Sequence, residues 1–203
     1  MDPEKKQILL ISPRGFCAGV TRAVDVVLET LKQYGPPVYV KHEIVHNKHV
    51  IRDLEQKGTI FIEDVKSVPS DRPLIISAHG VSKKVIKASK KNNAITIDAT
   101  CPLVTKVHVQ AQKFFNEGFK IILIGHKNHP EVEGTMGQLP EGSISLIEKI
   151  SDIEKLDFNA EDEVAYITQT TLSVDDTNSI ILELKQRYPN IKSSPKEDIC
   201  YAT

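Results

Sequence analysis

The chain has 203 residues, 40% hydrophobic and 26% charged, enough for a sizeable core and one or two compact domains. A formal net charge of −1 provides no electrostatic footprint for nucleic acid or an anionic membrane surface. No apolar run approaches the roughly 20 residues that span a bilayer. The charged start, Met1 to Lys6, lacks a signal-peptide pattern, and an odd count of three cysteines argues against a disulfide framework, so a cytoplasmic location is expected.

Short apolar runs alternate with longer amphipathic segments. A strand is expected at 8–12, then a helix over about 18–33, where Val20, Ala23, Val24, Val27, Leu28 and Leu31 recur at helical spacing. Strands at 38–41, 59–62, 73–78 and 94–98 follow, with helices over about 47–57 and 82–92 between them. A helix over 102–117 carries Val104, Val107, Ala111, Phe114 and Phe115 on one face. Strands at 120–125, 143–147 and 163–168 then alternate with helices over about 131–138, 151–156 and 174–187. This alternation implies an α/β fold with parallel sheets and helical crossovers.

The two halves repeat one another. Cys17 and Cys101 each follow an apolar run and open a helix pattern. His46 and His129 follow later strands at nearly the same offset, and Ile75 to Ser82 parallels Ala165 to Ser173. Ser82 and Ser173 suit helix N-caps. Expected units are 1–99 with Cys17, His46 and His79, and 100–199 with Cys101, His129, Glu131 and Thr170. A third unit opens at Cys200 and stops at 203. Each half presents a thiol, a histidine and another polar group just past strand ends, the edge where open parallel sheets bind ligands.

A cysteine taken alone reads as a small buried hydrophobe. Two of them placed alike at helix starts read as thiolates, because a helix N-terminus stabilises negative charge. With no Cys-x-x-Cys a zinc ribbon is not indicated. Three thiolates fit an iron–sulfur cube with one iron lacking a protein thiolate. His42-Glu43-Ile44-Val45-His46 matches the His-Glu-x-x-His zinc motif, but that motif needs a helix and this segment leaves a strand, so the match is attributed to chance. His46, His79 and His129 are either surface loop histidines or a convergent trio able to donate hydrogen bonds to an anion such as a diphosphate. His108 sits inside a helix pattern and reads as structural. Glu131 is either a first-turn carboxylate complementing the helix dipole or a proton donor with a raised pKa. Gln169 and Thr170 either hold a turn, orient Glu131 or bind substrate.

Several strings together resemble the 4-hydroxy-3-methylbut-2-enyl diphosphate reductase family. They are Pro13-Arg14-Gly15-Phe16-Cys17-Ala18-Gly19-Val20, the segment His42 to Asn47, Ser77-Ala78-His79-Gly80-Val81-Ser82, Asp98-Ala99-Thr100-Cys101-Pro102-Leu103-Val104, Gly125-His126, His129-Pro130-Glu131-Val132-Glu133-Gly134-Thr135, Thr168 to Ser173 and Asp198 to Thr203. The resemblance implies a trefoil of three similar α/β domains around a 4Fe-4S cluster, with this chain holding two and lacking the third. It implies reductive removal of the hydroxyl of an allylic diphosphate, giving isopentenyl and dimethylallyl diphosphate in the non-mevalonate isoprenoid pathway. Carried over by motif, Cys17, Cys101 and Cys200 would ligate the cluster. His46, His79 and His129 would contact the diphosphate, and Glu131 would donate the proton, with Thr170 and Gln169 at the substrate. A ferredoxin or flavodoxin would supply electrons; neither nucleic acid nor membrane is a partner. The alternative is a non-catalytic metal- or diphosphate-binding remnant.

Overall fold

The structure, a computed structural model, describes residues 8–12, 14–92, 95–159, 161–196 and 198–202. The chain folds as two α/β units built to one plan. In the first, α1 (Ala18–Tyr34) precedes β1 (Val38–Lys41), α2 (Lys48–Gln56), β2 (Thr59–Ile62), β3 (Pro73–Ile76), α3 (Lys83–Lys91) and β4 (Ile95–Asp98). In the second, α4 (Pro102–Asn116) precedes β5 (Lys120–Ile124), α5 (Pro130–Met136), β6 (Ile144–Ile147), β7 (Val164–Thr168), α6 (Val174–Arg187) and β8 (Lys192–Ser193). The two sheets have matching orders, β2-β1-β3-β4 and β6-β5-β7-β8, and every strand pair is parallel. The parallel α/β expectation therefore holds in both halves.

The central strands are apolar because helices cover both of their faces. Leu74, Ile75 and Ile76 are buried in β3, and Ile121 to Ile124 are buried in β5. Val40, Ile75, Ala23 and Val27 meet on one face of the first sheet, and Leu74, Ile76, Val65 and Val81 on the other. In the second, Ile121, Leu123, Val107 and Phe114 form one layer and Ile122, Ile124, Ile180 and Leu184 the other. The helices start on side-chain caps. Ser82 Oγ accepts from Val85 N, Ser173 Oγ from Asp176 N and Asn47 Oδ1 from His49 N and Val50 N. The expected helix at 151–156 is a 3-10 turn, Ile150–Lys155.

The expected strand at 8–12 is not formed. Ile8, Leu9, Leu10 and Ile11 are 84%, 79%, 70% and 80% exposed. The reason lies in the topology. In each sheet the fourth strand leads towards the next cysteine, β4 towards Cys101 and β8 towards Cys200. Those places are filled, so the apolar run before Cys17 has no equivalent place left in either described sheet. Position 94, the expected start of the fourth strand, lies outside the described residues.

The two units meet through α5. Gln138 Nε2 donates to Val81 O at 2.8 Å, and Lys83 N donates to Gly137 O at 3.1 Å. Core and terminal run differ in energetic consequence. Leu123→Ala in the buried β5 is expected to lower unfolding stability by about 2–5 kcal/mol. Leu9→Ala in the exposed run is expected to stay within about 0.5 kcal/mol. Denaturant titration of both variants checks this, and equal losses would contradict the placement of residues 8–11.

Candidate functional site

His46, His79, Cys101, His129 and Thr170 occupy loops that leave the carboxyl ends of strands and enter helices, and Glu131 stands in the first turn of one of those helices. Cys17 is the N-cap of α1 and its Sγ accepts from Val20 N at 3.5 Å. Cys101 is the N-cap of α4, with Pro102 at the first helical position, where proline costs no hydrogen bond. Cys200 lies past β8, and its amide donates to Thr170 O. Cys101 N donates to Ala78 O at 3.0 Å, so both thiol-bearing segments lean on the loop after their unit's third strand.

One cavity of about 290 Å³ gathers Cys17, Cys101, Cys200, His46, His79, Glu131 and Thr170 on its wall. Gly19 explains how two thiols come so close. A Cβ placed there would stand 3.0 Å from Cys101 Sγ and 3.8 Å from Cys17 Sγ, so both sulfurs crowd one point that only a glycine leaves free. All three cysteines are free thiols, partly exposed. Among the described residues no three Cys, His, Asp or Glu side chains converge on a single ion. Three thiols on one cavity wall are a donor set that could hold an iron–sulfur group, each thiolate on its own iron. A wider concavity of about 680 Å³ lies at the opening ends of β5 and β7, beside Phe119, Glu163 and Lys192, and has no cysteine or histidine on its wall.

The three histidines form a cluster. Ring centroids of His46 and His79 are 4.3 Å apart, His46 and His129 5.3 Å, and His79 and His129 5.7 Å. His129 caps α5: its Nδ1 accepts from Glu131 N at 3.2 Å. Nδ1 therefore carries a lone pair, and in the neutral ring the proton sits on Nε2, which faces His46 Nε2 at 3.3 Å. Asn128, at φ 66°, makes the turn that presents His129, a conformation asparagine tolerates. Ser77 Oγ lies 3.3 Å from His79 Nδ1 and steadies that ring. Burial, with the neighbouring imidazoles of His46, His129 and His42, holds His79 down at about 3. Burial and the rings of His46 and His126 hold His129 at about 4.

Glu131 is 2% exposed in the first turn of α5. Its carboxyl accepts from Thr170 N at 2.6 Å and from Thr170 Oγ1 at 2.9 Å. Burial pushes it up to about 7; the Thr170 bonds oppose that shift and the Asp198 carboxylate adds to it. Gln169 is placed differently from the other candidates. Its Oε1 accepts from His126 N at 2.9 Å and its Nε2 donates to Thr171 Oγ1 at 3.0 Å, so its carboxamide joins two loops and does not line the cavity. The His-Glu-x-x-His segment is not helical. His42 has φ 61°, and its Nδ1 sits 2.8 Å from Glu63 Oε2. Gly19, Asn47 and Thr171 also line the cavity; the sequence marked them only as members of longer strings and gave them no role.

Fold and site define a class: a repeated α/β protein with three thiols, two imidazoles and one buried carboxyl around a shared cavity, and a third imidazole, His129, packed against those two. The LytB protein family model matches residues 8–203, and the chain belongs to that family. It is 57% identical over 194 residues to the 4-hydroxy-3-methylbut-2-enyl diphosphate reductase of Hyphomonas neptunium, covering 96% of this chain and 62% of that protein. It is 54% identical over 203 residues to the protein of the same name from Beijerinckia indica, covering 100% and 64%. Among solved structures it is similar to the E-1-hydroxy-2-methyl-but-2-enyl-4-diphosphate reductase of Plasmodium falciparum. There the TM-score is 0.90 at 49% identity, covering 94% of this chain and 59% of that one. The chain thus spans about three fifths of these relatives. Among the described residues no helix is long and apolar enough to cross a membrane.

The Glu131 environment has a measurable sign. Unfolded, its proton leaves near 4.5; folded, near 7. The native state therefore binds more protons between those values, and this group's contribution to stability is lost as pH rises through the window. His79 and His129 act oppositely, since the unfolded chain protonates them near 6.5 and the native chain only near 3 to 4. Glu131→Gln isolates the acid. The variant is expected to gain stability relative to the parent by up to about 3 kcal/mol between pH 4.5 and 7. Parallel denaturation curves at several pH values check this; a pH-independent difference would refute a buried neutral carboxyl.

Proposed function

We propose that the protein containing this chain reduces 4-hydroxy-3-methylbut-2-enyl diphosphate to isopentenyl and dimethylallyl diphosphate, with Cys17, Cys101 and Cys200 holding a 4Fe-4S cluster. The observation that carries the reading is the shared cavity, with three thiols and Glu131 on its wall and two of the thiols, Cys17 and Cys101, at the Gly19 notch. The names of the relatives support the substrate. The net change is loss of the allylic hydroxyl as water, consuming two electrons and two protons. A cluster held by three thiolates would supply the electrons, relayed from a ferredoxin or flavodoxin, and an iron free to act as a Lewis acid.

The side chains supply the rest. His46, His79 and His129 hold the diphosphate by N–H donation, anchoring the substrate so that its hydroxyl faces the thiols. Glu131, raised to about 7 and so still partly protonated near neutral pH, gives its proton to the departing oxygen. Thr170 fixes both carboxyl oxygens, so the proton is delivered from one orientation. Gln169 acts through the His126 and Thr171 loops.

Protein purified without oxygen and reconstituted with iron and sulfide is expected to show the spectroscopic signature of a 4Fe-4S cluster and to consume the allylic diphosphate with a reductant. Glu131→Gln is expected to keep the signature and lose turnover by about a hundredfold or more. The parent's turnover is expected to fall as pH rises past about 7, where Glu131 ionises. A protein that takes zinc alone and never turns over would sink the proposal. The imidazole cluster favours one second reading, a binding module: residues 1–203 alone would then bind diphosphate without reducing it, and turnover by them would exclude this.

Diphosphate binding carries a proton signature. An anion beside imidazoles held neutral raises their proton affinity. Calorimetry with inorganic diphosphate near pH 7, in two buffers of different ionisation enthalpy, is expected to show net proton uptake that His79→Ala reduces. Proton release, or none, would remove the histidines from diphosphate binding.

A further inference from the structure

The three cysteines lie on separate segments, and something must set their mutual spacing. Cys17 caps α1 at the entrance of the first unit, and Cys101 stands where that unit is left and the second entered. Cys200 sits on irregular chain after the two-residue β8. The cysteine amide bonds to Ala78 O and Thr170 O tie Cys101 and Cys200 to strand-end loops but not to the preceding cysteine.

A recurrent contact supplies the missing link. Arg22 follows Cys17 by five residues, one helical turn into α1, and Lys106 follows Cys101 by the same five in α4. Arg22 Nη1 donates to Thr100 O at 2.9 Å and Nη2 to Asp98 O at 3.4 Å, the carbonyls just ahead of Cys101. Lys106 Nζ donates to Lys196 O at 2.7 Å and to Asp198 Oδ1 at 3.0 Å, just ahead of Cys200. Asp198 is 5% exposed; its other oxygen accepts from Ser194 Oγ at 3.1 Å and Thr168 N at 3.4 Å. In both units a cation on the entry helix grips the segment leaving the unit. Charge-assisted bonds of this kind are roughly twice as strong as neutral ones. The chemistry fits each place, since arginine's fork spans two carbonyls and lysine's ammonium meets a carboxylate as a point charge.

We propose that Arg22 and Lys106 are positioning residues that set the spacing of the three thiols, Arg22 fixing Cys101 against Cys17 and Lys106 fixing Cys200 against Cys101. Their importance to activity rests on the cluster reading above; the spacing itself does not, and it can be read in metal-free chain. Cys200→Ser leaves only the Cys17–Cys101 pair, and Cys17→Ser only the Cys101–Cys200 pair. Each is treated with a short bismaleimide and the rate of intramolecular cross-linking is measured.

Arg22→Gln is expected to slow the Cys17–Cys101 link about fivefold, the effect of losing one net hydrogen bond, and to leave the Cys101–Cys200 link unchanged. Lys106→Met is expected to do the converse. Lys106→Arg is expected to restore the parent rate, and Arg22→Lys, which reaches one carbonyl, to fall between. If either variant slows both links alike, or neither link, the proposal fails; thermal melts run alongside separate general unfolding from the pair-specific effect, and the conservative variants carry the comparison if Gln or Met unfolds the chain. Iron bound after anaerobic reconstitution is expected to fall in both Arg22→Gln and Lys106→Met. Pair-specific cross-linking in a protein that takes up no iron and sulfide would retain the clamps and reject the cluster.

Discussion

The site depends on how closely α5 approaches the loop after β3. A Cβ at Gly134 would stand 3.3 Å from the carbonyl of Gly80 and the amide of Val81, and one at Gly137 would stand 2.1 Å from Ser82 Cβ. Backbone therefore rests on backbone, and Gln138 closes the joint by donating to both Val81 O and Gly134 O. The consequence reaches the other end of the short helix. Its first turn carries Glu131 and its cap is His129, so the same approach brings His129 beside His79 of the first unit and Glu131 onto the same cavity wall. A wider joint would leave two half-sites, each too sparse to hold a substrate.

Much of this was legible in the sequence because the chain states its plan twice. Parallel sheets followed from alternation of apolar runs and amphipathic helices, and the strand-end location of the cysteines and histidines followed from the repeat. The run at 8–12 misled because its apolar content is real while its sheet place depends on an edge that β4 and β8 already fill in the described units. β8 escaped notice for the opposite reason: Lys192–Ser193 is two polar, exposed residues, a strand only by pairing with Ala165 and Tyr166. Counting residues aligned His46 with His129, but the caps align Asn47 with His129, since those two side chains start α2 and α5. The imidazoles meet because the loops differ by one residue, not because the positions are equivalent.

The contacts that sequence could not disclose are long side chains reaching for backbone. Arg22 and Lys106 stand among ordinary helix-surface cations, and their partners lie 78 and 90 residues away. No periodicity marks such a bond. Gln169 is the converse, a residue inside a striking string whose carboxamide is spent on loop geometry. A motif identifies a neighbourhood, while hydrogen-bond accounting decides which member faces the cavity.

The site is arranged with its protons in unequal places. Glu131 holds its proton up to about pH 7, because burial and the nearby Asp198 carboxylate penalise its charged form by more than the two Thr170 bonds stabilise it. His79 and His129 are held neutral, because burial and the imidazoles around them both disfavour a positive ring. His129 adds a geometric reason, since protonating Nδ1 would remove the acceptor that caps α5 at Glu131 N. The cap and the acid thus belong to one turn of helix, and the hydrogen bond that keeps His129 neutral also aims the backbone that carries Glu131. An anion at Nε2 would take this ring's N–H as a hydrogen-bond donor while Nδ1 goes on accepting from Glu131 N, so His129 can meet it as a neutral ring without releasing the helix that carries Glu131.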